Sequence, residues 1–267
     1  MGVASYFLEK LLVVPHLVSA FTLGGTDPQI IGWEGKTLTF AVNHTSCGIS
    51  DDVLFAAIDA SVALWNSVPT SAMKLARGAS STVSTADVFA GVAADNPVII
   101  CDPAFSTTTG MDANFVAGVG YFAYATPSYR IVRGFLLLNA EPGAKAAMAS
   151  LPESLIHVVA AHELGHVLGL GHSGNINALM YFDASDKEEL RLAQDDADGM
   201  TYLYPRAELG GSPVFGCGTT AARHGTRGGD PSGPLFGALF VLGAWLVSRN
   251  RLTFWTRGDG DRNAGRA

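Results

Sequence analysis

The stretch AAHELGHVLGLGHS, residues 160–173, places three of the chain's seven histidines at positions 162, 166 and 172, with a glutamate at 163. The preceding ESLIHVV is apolar with a helical rhythm, and Pro152 suits a first-turn position, so the spacing predicts a helix running to about Gly169. Residues four apart on a helix lie one above the other, so His162 and His166 point together and can reach one metal ion. Glu163 is roughly 100° further round at 3.6 residues per turn. It sits beside that face, within reach of a water on the metal, and not on it. Gly169 permits the left-handed backbone that ends a helix, and the chain can then return His172 to the same ion. Three neutral imidazoles with a fourth position open is the donor set of a catalytic zinc ion, not of a closed structural one. Such an ion activates water and polarises a carbonyl, and Glu163 is placed to move the proton. His157 lies roughly 140° from His162 by the same periodicity and reads as structural, as do His16, His44 and His224.

The rest of the chain frames this motif. Its 267 residues are 48% apolar and 15% charged, enough for one substantial domain with tails. The net charge of −7 argues against nucleic acid as a partner. That charge is uneven. Residues 206–267 hold eight Arg against four acidic residues, leaving the acidic excess before Pro205 and marking a boundary there. Residues 1–20 read as a signal peptide with an apolar run after Lys10 and a Val18-Ser19-Ala20 cleavage site, followed by a short segment, 21–35. After the boundary come a Gly/Ser/Arg-rich linker (206–233), a short apolar helix closed by arginines (234–251) and a polar tail (252–267). The apolar helix would hold the chain at a membrane, at least transiently. Cys47 and Cys101 each follow a strand-like run, and in an exported chain they form a disulfide pair or remain two buried thiols. Cys217 goes with the tail.

Between these limits, KTLTFAVN (36–43) reads as a strand and DDVLFAAIDASVALWNS (51–67) as a helix capped by Ser50. Residues 86–90 and 98–101 read as short strands, 91–96 and 103–117 as loops. GVGYFAYA (118–125) and RGFLLLN (133–139) read as two strands joined around Pro127, and 187–204 as a last helix.

The full HExxHxxGxxH pattern is the metzincin signature, and residues 36–205 resemble the matrixin branch in its bacterial form. Ser173 follows the third histidine as in matrixins. ALMY at 178–181 resembles the Met-turn, which implies Met180 as an apolar floor beneath the metal. LAQDDADGMTYLYP (192–205) resembles the family's C-terminal helix, in which Asp195 and Asp196 would brace the Met-turn. The resemblance implies an α+β fold, a twisted five-stranded mixed sheet with packed helices. It implies an exported zinc endopeptidase of a bacterial envelope or a secreted one, acting as a monomer on protein or peptide. His162, His166 and His172 would hold one zinc and Glu163 would be the general base and acid. Substrate would add as a strand to the cleft edge, touching Gly120, Tyr121, Phe122 and Ala123, with Tyr181 and Phe182 beyond the Met-turn. The tail layout is similar to bacterial C-terminal sorting tails.

The sequence also departs from the pattern. Phe182 and Ala184 stand where matrixins carry the proline and tyrosine of the S1′ wall, and no histidines between 70 and 140 suggest a second zinc. Calcium could be held by Asp95, Asp102 or Asp112. No cysteine-switch motif is present, so latency would come from residues 21–35 or from Cys47 approaching the zinc. The rival functions are a catalytically silent peptide-binding module on the same scaffold and a structural envelope protein braced by zinc. Glu163, which a binding module does not need, separates the first from a protease, and the open fourth coordination position with no fourth ligand nearby argues against the second.

Overall fold

The structure, a computed structural model, describes residues 21–24, 30–91, 96–185, 187 and 189–208. The signal peptide, nearly all of the linker, the apolar helix, the tail, Asp95, His16, His224 and Cys217 lie outside the described residues. Among the described residues no helix is long and apolar enough to cross a membrane.

One mixed sheet organises the chain. Its strands are β1 (Gly32–Trp33), β2 (Thr37–Asn43), β3 (Lys74–Ser80), β4 (Val98–Asp102), β5 (Gly118–Ala125) and β6 (Arg130–Asn139). In space they run β3, β2, β4, β6, with β5 antiparallel on the far side of β6 and all other pairings parallel. The sheet therefore has six strands where five were expected. The extra one is β1, whose two residues pair with Arg130 and Ile131, while β4 pairs with Phe135 to Asn139 further along the same side of β6.

The central strands are unbroken apolar runs because both of their faces are covered. Leu136 and Leu138 of β6 join Phe40, Ile99 and Trp65 in one core, under helices α1 (Asp51–Asn66) and α4 (Glu153–Val167). Phe135 and Leu137 face the other way and pack with Val98, Ile100 and Phe105. That second layer is closed by α2 (Thr85–Ala90) and α3 (Phe105–Thr109), short helices that end at left-handed Gly91 and Gly110.

Four elements correct the sequence reading, the first being α3, a five-residue helix inside the segment 103–117 read as a loop. Residues 86–90 are helical, not a strand, because the Ser84 hydroxyl accepts from the Asp87 N–H and the Asp87 carboxylate accepts from the Ser84 N–H. This reciprocal cap outweighs the strand-like Val88-Phe89 pair. β3 escaped notice because KLARGAS buries only Leu75 and has no alternation to read. The last helix, α5 (Gln194–Leu203), starts seven residues later than 187, where the Asp196 carboxylate accepts the Ala193 N–H at 2.8 Å and fixes the first turn.

Candidate metal centre

α4 carries His162, Glu163 and His166 between the sheet and α1. Its C-terminal carbonyls are bound by side chains: Trp33 Nε1 donates to Val167 O at 2.8 Å and the Tyr204 hydroxyl to Leu168 O at 2.5 Å. With the helix end secured, Gly169 adopts φ +103° and the chain reverses. The reversal brings His172 back, and its Nε2 lies 3.2 Å from His166 Nε2. One ring nitrogen from each of His162, His166 and His172 lies within 4.8 Å of the others. This is the one group of three metal-ligating side chains that converges among the described residues.

The outer nitrogens are already used. His162 Nδ1 is 2.8 Å from Leu179 O, and His166 Nδ1 is 2.8 Å from Leu170 O. A carbonyl can only accept, so both Nδ1 atoms carry the proton and both Nε2 atoms keep a lone pair for a cation. Burial pushes His162 and His166 down to about 4, and burial also lowers His172. All three are therefore neutral near pH 7. The donor set fits zinc: three imidazole nitrogens and, among the described residues, no fourth side chain.

Glu163 stays off the histidine cluster. Its Oε2 accepts the Gly120 N–H from β5 at 2.6 Å. Burial raises its pKa, opposed by the nearby His166 and by that Gly120 bond.

The floor follows from the Met-turn. Met180 is buried, and Asp196 accepts both the Leu179 N–H at 2.7 Å and the Met180 N–H at 2.9 Å. Asp195 accepts from the Ser173 hydroxyl, directly after His172, and Ser173 N–H donates to Met180 O at 2.7 Å. The paired aspartates thus brace the Met-turn and the loop bearing the third histidine.

The expected substrate-binding residues divide by face. Gly120 turns toward α4 and Phe122 lies against Gly24, whereas Tyr121 stacks on Phe135 at 4.9 Å. Ala123 follows Tyr121 by alternation. Tyr181 and Phe182 pack ring to ring at 4.6 Å, and Phe182 is largely exposed. Lys187, which the sequence reading passed over, donates from Nζ to Ile176 O at 3.0 Å and lies over the Tyr181 ring.

Cys47 and Cys101 are joined in a disulfide with Cα atoms 4.8 Å apart, linking the end of β2 to β4. Cys47 therefore has no free thiol to approach the metal, which removes it as a source of latency. The two described candidates for calcium do not join any cluster: Asp102 accepts from Ala104 N–H, and Asp112 from Asn114.

Residues that the sequence reading missed include Gly118 and Gly165 and the segment Thr22–Gly24. Thr22 O accepts the Gly171 N–H at 2.8 Å, Gly24 N–H donates to Gly169 O at 2.8 Å, and the Thr22 hydroxyl donates to His172 O at 2.5 Å. A glycine in the middle of a strong helix, as at 165, was the legible signal of close packing. Nothing in TLGG announced a strand partner.

A mostly parallel α+β sheet thus carries three converging histidines that could hold a metal ion, beside a half-buried glutamate. Residues 109–205 match the family model described as Matrixin. The chain is 28% identical over 198 residues to the interstitial collagenase of Sus scrofa, covering 72% of this chain and 36% of that protein. It is 48% identical over 59 residues to the interstitial collagenase of Oryctolagus cuniculus, covering 22% and 13%. It is also 51% identical over 47 residues to metalloendoproteinase 1 of Glycine max, covering 17% and 15%. The chain spans about a third or less of the length of these relatives. Together these likenesses support a matrixin-like metalloprotease.

Proposed function

We propose that this chain is an exported zinc-dependent endopeptidase of a bacterial cell envelope, held there by its apolar C-terminal stretch at least transiently and acting as a monomer on proteins or peptides. The observation that carries the reading is the convergence of three histidines, two of them oriented by backbone carbonyls, beside a separate half-buried carboxylate one residue from the first of them.

His162, His166 and His172 would hold the ion through Nε2. When bound, zinc supplies a Lewis acid that lowers the pKa of a water molecule and polarises a carbonyl. Glu163 takes the proton of the attacking water and passes it to the leaving amine. Its raised pKa suits both halves of that task, since a carboxylate of higher pKa is a stronger base. The edge of β5 away from β6, unpaired among the described residues, receives the substrate as an added strand, which aligns the scissile bond with the base. Met180 and the Asp196 bonds beneath keep the histidines in register.

The test is cleavage of a broad peptide library by the zinc-loaded full chain beside its Glu163→Ala variant. Parent cleavage that disappears in the variant and on chelation, with zinc content equal in both, is the expected result. A folded, zinc-loaded parent that binds peptides and cuts none would replace the protease with a binding module.

A further inference from the structure

Gly118 and Gly120 turn their bare Cα atoms toward α4. A Cβ on Gly118 would lie 2.9 Å from Glu163 Cγ; one on Gly120 would overlap the Glu163 carbonyl oxygen and lie 2.7 Å from His166 Cβ. β5 therefore rests directly on the backbone of the catalytic helix, at the turn between base and ligand. The Ala117 carbonyl accepts the Asn139 N–H at 2.9 Å, just before the strand pair starts at Gly118 and Leu138. Antiparallel pairing alternates along a strand, so odd-numbered residues bond β6 and the polar groups of Gly118, Gly120 and Phe122 point to the opposite edge, which pairs with no strand among the described residues. A peptide strand would add to that edge. Yet its central donor is already engaged, because Gly120 N–H is bonded to Glu163.

We infer that the Gly120 N–H is a shared donor, taken by the Glu163 carboxylate in the substrate-free protein and by a backbone carbonyl of the peptide in the complex. The inference rests on the protease reading and gives Gly120 the part of a positioning residue. A half-buried carboxylate gains from a hydrogen-bond donor, and without one its partial burial is costly. The strand N–H meets that need while the cleft is empty. An incoming carbonyl replaces the carboxylate on the same donor, so the edge never carries an unpaired N–H. The displaced carboxylate is then free to turn toward the reacting water. Binding of the strand and readiness of the base become one event. Glycine is required because any side chain at 120 would push β5 away from α4 and break the bond.

The sequence offers a direct probe. Val119–Gly120 is the single Val–Gly pair in the chain, so labelling valine carbonyl carbon and glycine nitrogen yields one correlated resonance, that of the Gly120 amide. The zinc-loaded full chain is compared with Glu163→Ala and Glu163→Gln. In the parent the proton is expected downfield and slow to exchange. In Glu163→Ala it moves upfield and exchanges faster. Adding a capped hexa-alanine peptide to Glu163→Ala returns it downfield. That peptide binds Glu163→Ala about fivefold tighter than Glu163→Gln, whose amide oxygen still competes for the donor. An unchanged Gly120 resonance in Glu163→Ala, or equal peptide affinity in the two variants, overturns the inference. Library cleavage by a parent whose Gly120 resonance ignores the substitution would sink this inference alone. A resonance that responds as expected in a chain that cuts nothing supports the contact and sinks the protease reading.

Discussion

Met180 Sδ occupies the space that a side chain on residue 165 would need. A Cβ on Gly165 would overlap the sulfur and would also lie 3.1 Å from Met180 Cε and 2.9 Å from Trp65 Cζ2. The glycine between the two α4 histidines is thus what lets the Met-turn rise against the helix. Gly165→Ala is expected to destabilise the protein by about 1–3 kcal/mol through overpacking, and to weaken zinc binding because His162 and His166 flank the displaced turn. Thermal melts and a zinc competition assay with a chromophoric chelator check both effects. A variant with parental melting temperature and zinc affinity would show that the contact has slack.

Asp196 holds three backbone N–H groups at once, those of Leu179, Met180 and Ala193, and is nearly inaccessible to solvent. Removing its carboxylate strands all three donors in a dry site. Asp196→Ala is expected to cost about 3 kcal/mol or more, at roughly 1–3 kcal/mol for each unsatisfied buried group. Asp196→Asn, which keeps one acceptor oxygen, should cost less. Urea unfolding of the zinc-free proteins measures the order. Equal losses for Asn and Ala would mean that the charge matters here and the hydrogen bonds do not.

The site was more legible in the sequence than the sheet was. The histidine spacing, the Met-turn and the aspartate pair are local patterns, and helical periodicity fixes which side chains share a face. The sheet depends on partners distant in the chain. β1 exists only because Gly32 and Trp33 meet Arg130 and Ile131, and β3 only because Lys74 to Ser80 lie beside β2. Neither segment has an apolar alternation of its own. The substrate edge shows the same limit: GVGYFAYA was readable as a strand, but that its two glycines face α4 and Tyr121 faces Phe135 depends on register. The start of α5 is set by the side chain of Asp196, and periodicity ran past it.

The three histidines define how zinc binding responds to pH. In the folded protein burial takes His162 and His166 from an ordinary value of 6.5 down to about 4. At pH 6 three unperturbed histidines would surrender roughly two protons on binding zinc; this site should surrender far fewer. Calorimetric titration with zinc at pH 6, in two buffers of different ionisation enthalpy, counts the protons. The same shift fixes the pH dependence of the zinc-free fold. A depressed folded pKa stabilises the native state above 6.5, and that stability is lost as pH falls toward 4 because the unfolded chain takes up protons that the folded one refuses. Release of two protons at pH 6 would contradict the neutral state of His162 and His166.

Thr22 and Leu23 bear on how the third ligand is held. The sequence allowed residues 21–35 to act as a latency segment, yet residues 21–24 lie along 169–172 as a short antiparallel partner, and Gly32 and Trp33 pair with β6. Leu23 bridges Leu170, Thr22 O accepts from Gly171 N–H, and the Thr22 hydroxyl bonds the carbonyl of His172 itself. Gly171 has no room for a side chain against this segment, since a Cβ there would lie 2.5 Å from Thr22 Oγ1 and 2.6 Å from Leu23 O. These contacts restrain His172, the most exposed of the three ligands. Loosening them should weaken zinc binding and not unmask activity. Thr22→Val removes only the hydroxyl and is expected to lower zinc affinity about tenfold, the lower end of the range for a residue that orients a ligand. Gly171→Ala forces the segment away and should lose more. Zinc affinity and peptide cleavage are measured on the same preparations. Higher cleavage with unchanged zinc affinity in either variant would instead make this segment inhibitory.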